Sequence, residues 1–298
     1  MKNKKTKIIL KIIILIVTII LMLTVFVLKI VNTKYEYKTE KTTNRLETEE
    51  FMGRKIYTII PESEKKTQTI ILYFHGGSYV AKATKDHFEF LENIVDQTGA
   101  TVIMPDYPLA PKYNYKDVFN MVVPLYKNII ENIEPKNLVL MGDSAGGGLS
   151  LALEEKLLEE NIEKPIKTIL ISPWLDVRLE NPKIDEVQKQ DDELNKETLK
   201  IAGIMYSAGD EKNNYLVNPI DGNLSNLENI TILTGTRDIL NPDAHKLQEK
   251  ASEVGTNIEL KEYEGAKHIW MIEKNSSQDL IESANQDIIN MLNLINTK

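Results

Sequence analysis

The chain contains no cysteine. That excludes a disulfide framework, a thiolate nucleophile, a Cys-based zinc site and an iron–sulfur cluster. Histidine is scarce, with four residues in 298. No H-E-x-x-H, calcium-loop or dinucleotide glycine fingerprint occurs, so neither a metal nor a cofactor is expected. A basic surplus is missing as well: the net charge is −8, from 36 basic and 44 acidic residues. Six of the lysines (Lys2, Lys4, Lys5, Lys7, Lys11 and Lys29) lie in the first thirty residues, which hold no acid. The remainder therefore sets 30 basic against 44 acidic residues, −14. So acidic a body repels nucleic acid, and nucleic-acid partners are not expected. What remains, 42% hydrophobic and 27% charged, is the composition of a globular protein with a sizeable core.

Residues 12–28 carry no charge, with Thr18 and Thr24 as the polar exceptions, and residues 8–10 extend the run past Lys11. Seventeen helical residues span about 26 Å, close to the thickness of a bilayer core. Lys11 and Lys29 can reach the headgroup layers from its ends. A cleaved signal peptide needs small residues before the cut, and no alanine precedes Ala81; a lipoprotein signal needs a cysteine. The run therefore reads as an uncleaved transmembrane anchor over 8–30 behind a basic cytoplasmic tail, 1–7. The lysine-dense tail ahead of the first span stays inside, which puts the long domain outside the cell. The expected location is the cell membrane, with a single pass and an extracellular catalytic domain.

Residues 31–52 are polar and weakly periodic, and read as a linker or the first part of a cap. The body, 53–298, alternates short apolar runs with helical patterns. Strands are expected at 56–60, 69–74, 100–104, 138–141, 167–172, 230–234 and 257–263. Between them Phe88, Leu91 and Val95, or Leu149, Leu153 and Leu157, recur at helical spacing. Such alternation requires crossover connections and a mostly parallel sheet. The stretch 176–214 breaks the rule. It is charged and strand-poor, with one helical pattern at 194–205, and reads as an inserted cap whose helix bounds the substrate pocket opposite the glycine loop.

The apolar run Leu138-Val-Leu-Met141 leads into Gly142-Asp-Ser-Ala-Gly146 and then a helical pattern. Strand, G-x-S-x-G, helix is the arrangement that lifts a serine onto a sharp turn above a parallel sheet. Here the serine is Ser144, and the free N–H groups of the following helix point toward it. Upstream, Tyr73-Phe-His-Gly-Gly-Ser78 ends another strand. A His-Gly-Gly at a strand end can turn backbone N–H groups toward developing negative charge. Ser63-Glu-Lys-Lys66 matches the S-x-x-K of penicillin-recognising enzymes, but its companion motifs are absent, so it reads as a solvated turn.

His75-Gly-Gly, Asp106-Tyr-Pro-Leu-Ala-Pro111, Gly142-Asp-Ser-Ala-Gly-Gly147 and Ser172-Pro-Trp174 together resemble the hormone-sensitive-lipase-like group of α/β-hydrolases, the bacterial esterases of that type. Four motifs fall in that group's order, and the resemblance runs from about residue 70 to the C-terminus. It implies an α/β-hydrolase fold with a helical cap and activity on short-chain or acetyl esters. The chain departs from the group's usual residues at Ser78 (glycine), Pro108 (arginine) and Lys112 (glutamate), positions that bear on loop packing and substrate preference.

The base follows by elimination. His75 belongs to the glycine loop, where it is expected to support the oxyanion site. His87 and His245 sit in helical patterns and read as surface or half-buried residues. His268 follows the strand at 257–263, in the loop where α/β-hydrolases carry their histidine. The acid lies between serine and histidine. Asp238 follows the strand at 230–234; Asp243, at an expected helix start, is the near alternative, and the resemblance selects Asp238. The expected set is a Ser144–His268–Asp238 triad with an oxyanion hole from the amides of Gly76, Gly77 and Ala145. The substrate is a small-molecule or acylated cell-envelope ester. An amidase or peptidase on the same triad, and a non-catalytic binding protein with the same fold, remain the other readings. Oligomeric state leaves no mark in the sequence.

Overall fold

A computed structural model describes residues 44–62, 64, 66–210, 212 and 214–296. The anchor expected at 8–30, most of the segment 31–52, and Ser63 and Lys65 of the S-x-x-K motif lie outside the described residues. Among the described residues no helix is long and apolar enough to cross a membrane.

In chain order the elements are β1 (Arg45–Phe51), β2 (Arg54–Ile60), β3 (Ile70–Phe74), α1 (Lys85–Thr98), β4 (Thr101–Pro105), α2 (Tyr115–Ile130), β5 (Leu138–Asp143), α3 (Ala145–Glu159), β6 (Lys167–Ile171), α4 (Ile184–Val187), α5 (Lys196–Ser207), β7 (Ile230–Gly235), α6 (Asn241–Glu253), β8 (Ile258–Tyr263), α7 (Trp270–Glu273) and α8 (Gln278–Asn296). The strands form one eight-stranded sheet in the order β1-β2-β4-β3-β5-β6-β7-β8. β1 and β2 run antiparallel to their neighbours, and every pairing from β4 to β8 is parallel.

Alternation along the strands divides the core. Leu72, Phe74, Leu138 and Leu140 face α2 and α3, while Ile71, Tyr73, Val139 and Met141 face α1 and α8. Both faces are covered, which is why these strands read as continuous apolar runs. A third cluster packs α6 against β6 and β7 through Ala244, Leu247, Ala251, Leu170, Ile230 and Ile232.

β1 corrects the reading of 31–52 as linker or cap: its second half, Arg45–Phe51, is the edge strand of the sheet. The strand carries arginine and three acids over seven positions and meets a partner on one side only, so it shows no apolar alternation. Its hairpin turn is Met52-Gly53, both with positive φ (50° and 74°), the backbone of a type I′ turn. Methionine in place of the usual Asn or Asp removed the turn signal. The stretch 172–229, between β6 and β7, holds α4 and α5 and, among the described residues, no strand.

Candidate active site

Ser144, Asp238, His268 and His75 follow β5, β7, β8 and β3 respectively, so all four stand at the carboxyl end of the parallel sheet. Ser144 has φ 52° and ψ −119°, a conformation that costs a non-glycine residue about 1–3 kcal/mol and persists only where surroundings impose it. Here they do. The Ser144 N–H donates to the Ile171 carbonyl (2.8 Å), and its own carbonyl accepts from the Trp174 (2.8 Å) and Gly148 (3.1 Å) amides. The chain must also approach itself closely on both sides of the serine. A Cβ on Gly146 would stand 1.9 Å from the Phe74 carbonyl oxygen, and one on Gly142 would stand 2.4 Å from that of Gly146.

His268 Nδ1 donates to Asp238 Oδ2 at 2.8 Å, and both residues are buried. The other carboxylate oxygen of Asp238 accepts from the Leu240 amide at 2.9 Å. Burial works to lower the His268 pKa, but the charge and hydrogen bond of Asp238 outweigh it and raise the imidazole above its ordinary 6.5. Asp243, the alternative acid, is also fully buried, but its Oδ1 accepts from Asn181 (3.0 Å) and it makes no bond to His268. Burial raises its pKa to about 6.

The glycine loop has one feature that corrects the expected oxyanion set. The Gly76 amide donates to Asp143 Oδ1 at 2.8 Å, so it is already committed. The reason is steric as well as electrostatic: the Asp143 carboxylate sits so close that a Cβ on residue 76 would meet its Oδ2 at 2.2 Å. Asp143 is fully buried and also accepts from the Tyr73 hydroxyl (2.5 Å), with His87 Nε2 at 3.4 Å from its second oxygen. Burial opposes its charge, yet His87 and the Tyr73 hydroxyl outweigh burial and keep its pKa below the usual range. Among the described residues no protein acceptor takes the amides of Gly77, Ser78 or Ala145, the last being the first residue of α3. Gly77, Ser78 and Tyr79 all have positive φ (107°, 55°, 61°), which turns the loop sharply over Ser144.

His75 holds this loop from behind. Its ring stacks on Tyr107 (4.5 Å, 20°), the Tyr107 hydroxyl donates to the His75 carbonyl at 2.7 Å, and His75 Nδ1 donates to Gly76 O at 2.7 Å. Burial, helped by neighbouring His87, lowers its pKa to about 4, so the ring is neutral near pH 7. The Asp106–Pro111 motif anchors the same loop, since the Ala110 amide donates to Tyr79 O at 2.9 Å. Arg54 on β2 holds that motif in turn, through the carbonyls of Asp106 (2.7 Å) and Tyr107 (2.9 Å).

His87, read as a surface or half-buried residue, is buried. Its Nδ1 accepts from the Thr84 amide (3.1 Å), which leaves Nε2 to face Asp143. The signal was Asp143 itself: an acid inside a run as apolar as 138–145 requires a buried partner. His245 sits on the surface as expected, paired with Glu262 at 2.6 Å. From the cap, Tyr206 of α5 stacks face to face on Tyr79 (3.6 Å, 4°), and Tyr79 also stacks on Trp174 (5.7 Å). The side of α5 that enters the core is Leu199, Ala202 and Tyr206, with Leu194 and Met205 packed beside it; Ile201 and Ile204 turn outward, 42% and 58% exposed. The cap residue that meets the glycine loop is thus Tyr206.

A family model described as alpha/beta hydrolase fold matches residues 71–272. The chain belongs to the α/β-hydrolase family. An esterase of Acinetobacter venetianus is 29% identical over 207 residues, covering 68% of each chain. An acetyl-hydrolase of Streptomyces hygroscopicus is 28% identical over 201 residues, covering 67% of each. Among solved structures, an esterase from the bacterial hormone-sensitive lipase family superposes with a TM-score of 0.79 at 22% identity, covering 91% of this chain and 95% of that one. An esterase/lipase from an uncultured bacterium superposes at 0.80 and 22% identity, covering 94% and 99%. At these identities the structural likeness is one of fold, and it is the likeness the four motifs implied.

Proposed function

We propose that this α/β-hydrolase is a serine carboxylesterase acting on short-chain or acetyl esters. Its class, a hydrolase of carboxylic esters, rests on the family match and on relatives named as esterase and acetyl-hydrolase. The observation that carries the mechanism is the buried His268–Asp238 pair, at 2.8 Å, at the same carboxyl end of the sheet as a serine held at φ 52°. Ser144 Oγ attacks the ester carbonyl while His268 Nε2 takes its proton. Asp238 keeps the proton of the imidazole on Nδ1 and stabilises the imidazolium. The oxyanion of the tetrahedral intermediate is held by the uncommitted amides of Gly77 and Ala145, with Ser78 in the place first expected of Gly76. His268 then protonates the leaving alcohol, and water activated by the same imidazole releases the acid from the acyl-enzyme.

The same proposal includes a single-pass anchor at 8–30 with the hydrolase domain outside the cell, where O-acetylated envelope sugars are candidate substrates. Its support is the uncharged run 12–28 and the lysine-dense tail. The experiment for the chemistry is a screen of p-nitrophenyl esters of graded acyl length, with a matched anilide, on the full chain. Esters of short acids should turn over and the anilide should not, and Ser144→Ala should lower kcat about a million-fold. Near-parental turnover by purified Ser144→Ala protein would refute the mechanism; preference for the anilide would make the enzyme an amidase.

A further inference from the structure

Between α4 and α5 the cap forms a short segment that is tied to itself. Gln188 Nε2 donates to the Leu194 carbonyl (2.9 Å), and its Oε1 accepts from the Lys196 amide (2.8 Å). Within that segment Asp191 is buried, 8% exposed. Its Oδ1 accepts from the Glu193 (2.8 Å) and Leu194 (2.9 Å) amides. Its Oδ2 accepts from the Ile239 amide at 2.9 Å, across 48 positions of sequence. Ile239 is the residue after Asp238.

Two further contacts bind the same segment to the site. Arg237, the residue before Asp238, donates through Nη2 to the Gln190 carbonyl at 3.0 Å. Lys267, the residue before His268, pairs with Asp192 (2.9 Å) and Glu193 (3.2 Å). Both neighbours of Asp238 and one neighbour of His268 are therefore fastened to residues 190–193. The two surface ion pairs are each worth little. The Asp191–Ile239 bond is different, because it is buried and charge-assisted. It fixes the Asp238–Ile239 peptide, and the next amide, that of Leu240, is what Asp238 Oδ1 binds. Placing a second buried carboxylate beside Asp238 costs repulsion, and a loop that merely needed closing has no use for that charge.

We propose that Asp191 is a positioning residue for Asp238: through the Ile239 amide, the cap sets the orientation of the carboxylate that holds His268. The proposal rests on the triad reading, and its test separates the two. In the full chain, hydrolysis of p-nitrophenyl acetate by the parent and its loss in Ser144→Ala test the triad. Asp191 is then read against that parent. In Asp191→Asn the volume is kept, but whichever way the amide turns, its NH₂ faces an N–H that the carboxylate accepted.

The kcat for the acetate ester should fall about 10- to 100-fold, the scale of a misplaced catalytic group, with KM close to the parent's. The acid limb of kcat/KM should also move to lower pH. The charged groups facing His268 are Asp238 from the loop after β7, Asp191 from the cap and Glu273 from α7, and all three favour the imidazolium. The adjacent cations Lys267 and Arg237 point to the cap. Asp191→Glu keeps the charge and should leave the acid limb near the parent's while recovering part of kcat.

An Asp191 that only closed the cap would give another pattern: a lower Tm and a higher KM for long acyl esters, with acetate kcat and the acid limb unmoved. That result overturns the proposal. Should Asp191→Asn not fold, Asp191→Glu carries the test, because it keeps the charge but moves the carboxylate away from the Ile239 amide. A several-fold fall in acetate kcat at constant KM supports the proposal, and a parental kcat overturns it.

Discussion

Two buried aspartates five positions apart face different tasks. Asp238 carries its negative charge toward His268, whereas Asp243 sits where burial disfavours charge. Asp238→Asn should lower kcat about 10⁴-fold, because the amide cannot hold the imidazole in the working tautomer. Asp243→Asn should leave kcat near the parent's. Its effect is on stability, with a definite sign. The folded-state pKa of Asp243 is raised from 3.8 to about 6, so its favourable contribution is complete below pH 4 and is lost as pH rises through 6. Unfolding midpoints measured across pH 4–8 should show Asp243→Asn gaining on the parent toward the alkaline end. A rate loss in Asp243→Asn equal to that of Asp238→Asn would reassign the acid. The serine, the histidine and the acid's loop were legible because the sequence offers few choices: one G-x-S-x-G and four histidines. The commitment of the Gly76 amide was not, since it depends on where the Asp143 side chain turns. Nor was the role of Asp191, whose partner lies 48 positions away and is a backbone N–H that no residue type announces.

At the scale of elements, the parallel strands showed themselves because both faces are covered and each run is apolar throughout. β1 did not, as an edge strand with charges on both faces and a Met-Gly turn. The cap helix was visible as a period, but its facing was not. Ile201 and Ile204 are the obvious apolar residues, yet α5 turns them outward and uses Tyr206 to meet Tyr79. Helical spacing alone gives a stripe, and an aromatic ring with a stacking partner decides which side of it is inside. Tyr206→Ala should cost about 3–5 kcal/mol as a large buried deletion. Because Tyr79 continues the strained turn Gly77-Ser78-Tyr79, the variant should also lose kcat on acetate esters more than its KM rises. Chemical denaturation and steady-state kinetics on one preparation read both effects. A folded variant of parental kcat would show that the stack holds the cap and leaves the oxyanion loop untouched.

For the whole molecule, composition and function meet in the division between a lysine-rich apolar start and an acidic body. Ser144, Asp238, His268 and the glycine loop all lie within residues 44–296 of the described sheet domain. Deleting residues 1–29 should therefore leave ester hydrolysis intact and release the protein from the membrane fraction, while the full chain sediments with membranes and resists carbonate extraction. Full-length protein recovered in the high-speed supernatant without detergent would remove the anchor from the proposal and leave the chemistry standing. The central claim, that Ser144 is a nucleophile activated by His268, is tested most directly by covalent labelling. The full chain is treated with a diethyl phosphoryl ester and its peptides are mapped by mass spectrometry. The label should appear on Ser144 in the parent and disappear in His268→Ala, with ester hydrolysis lost in step. Label on a different serine, or full ester turnover in a protein whose Ser144 is completely phosphorylated, would contradict the account.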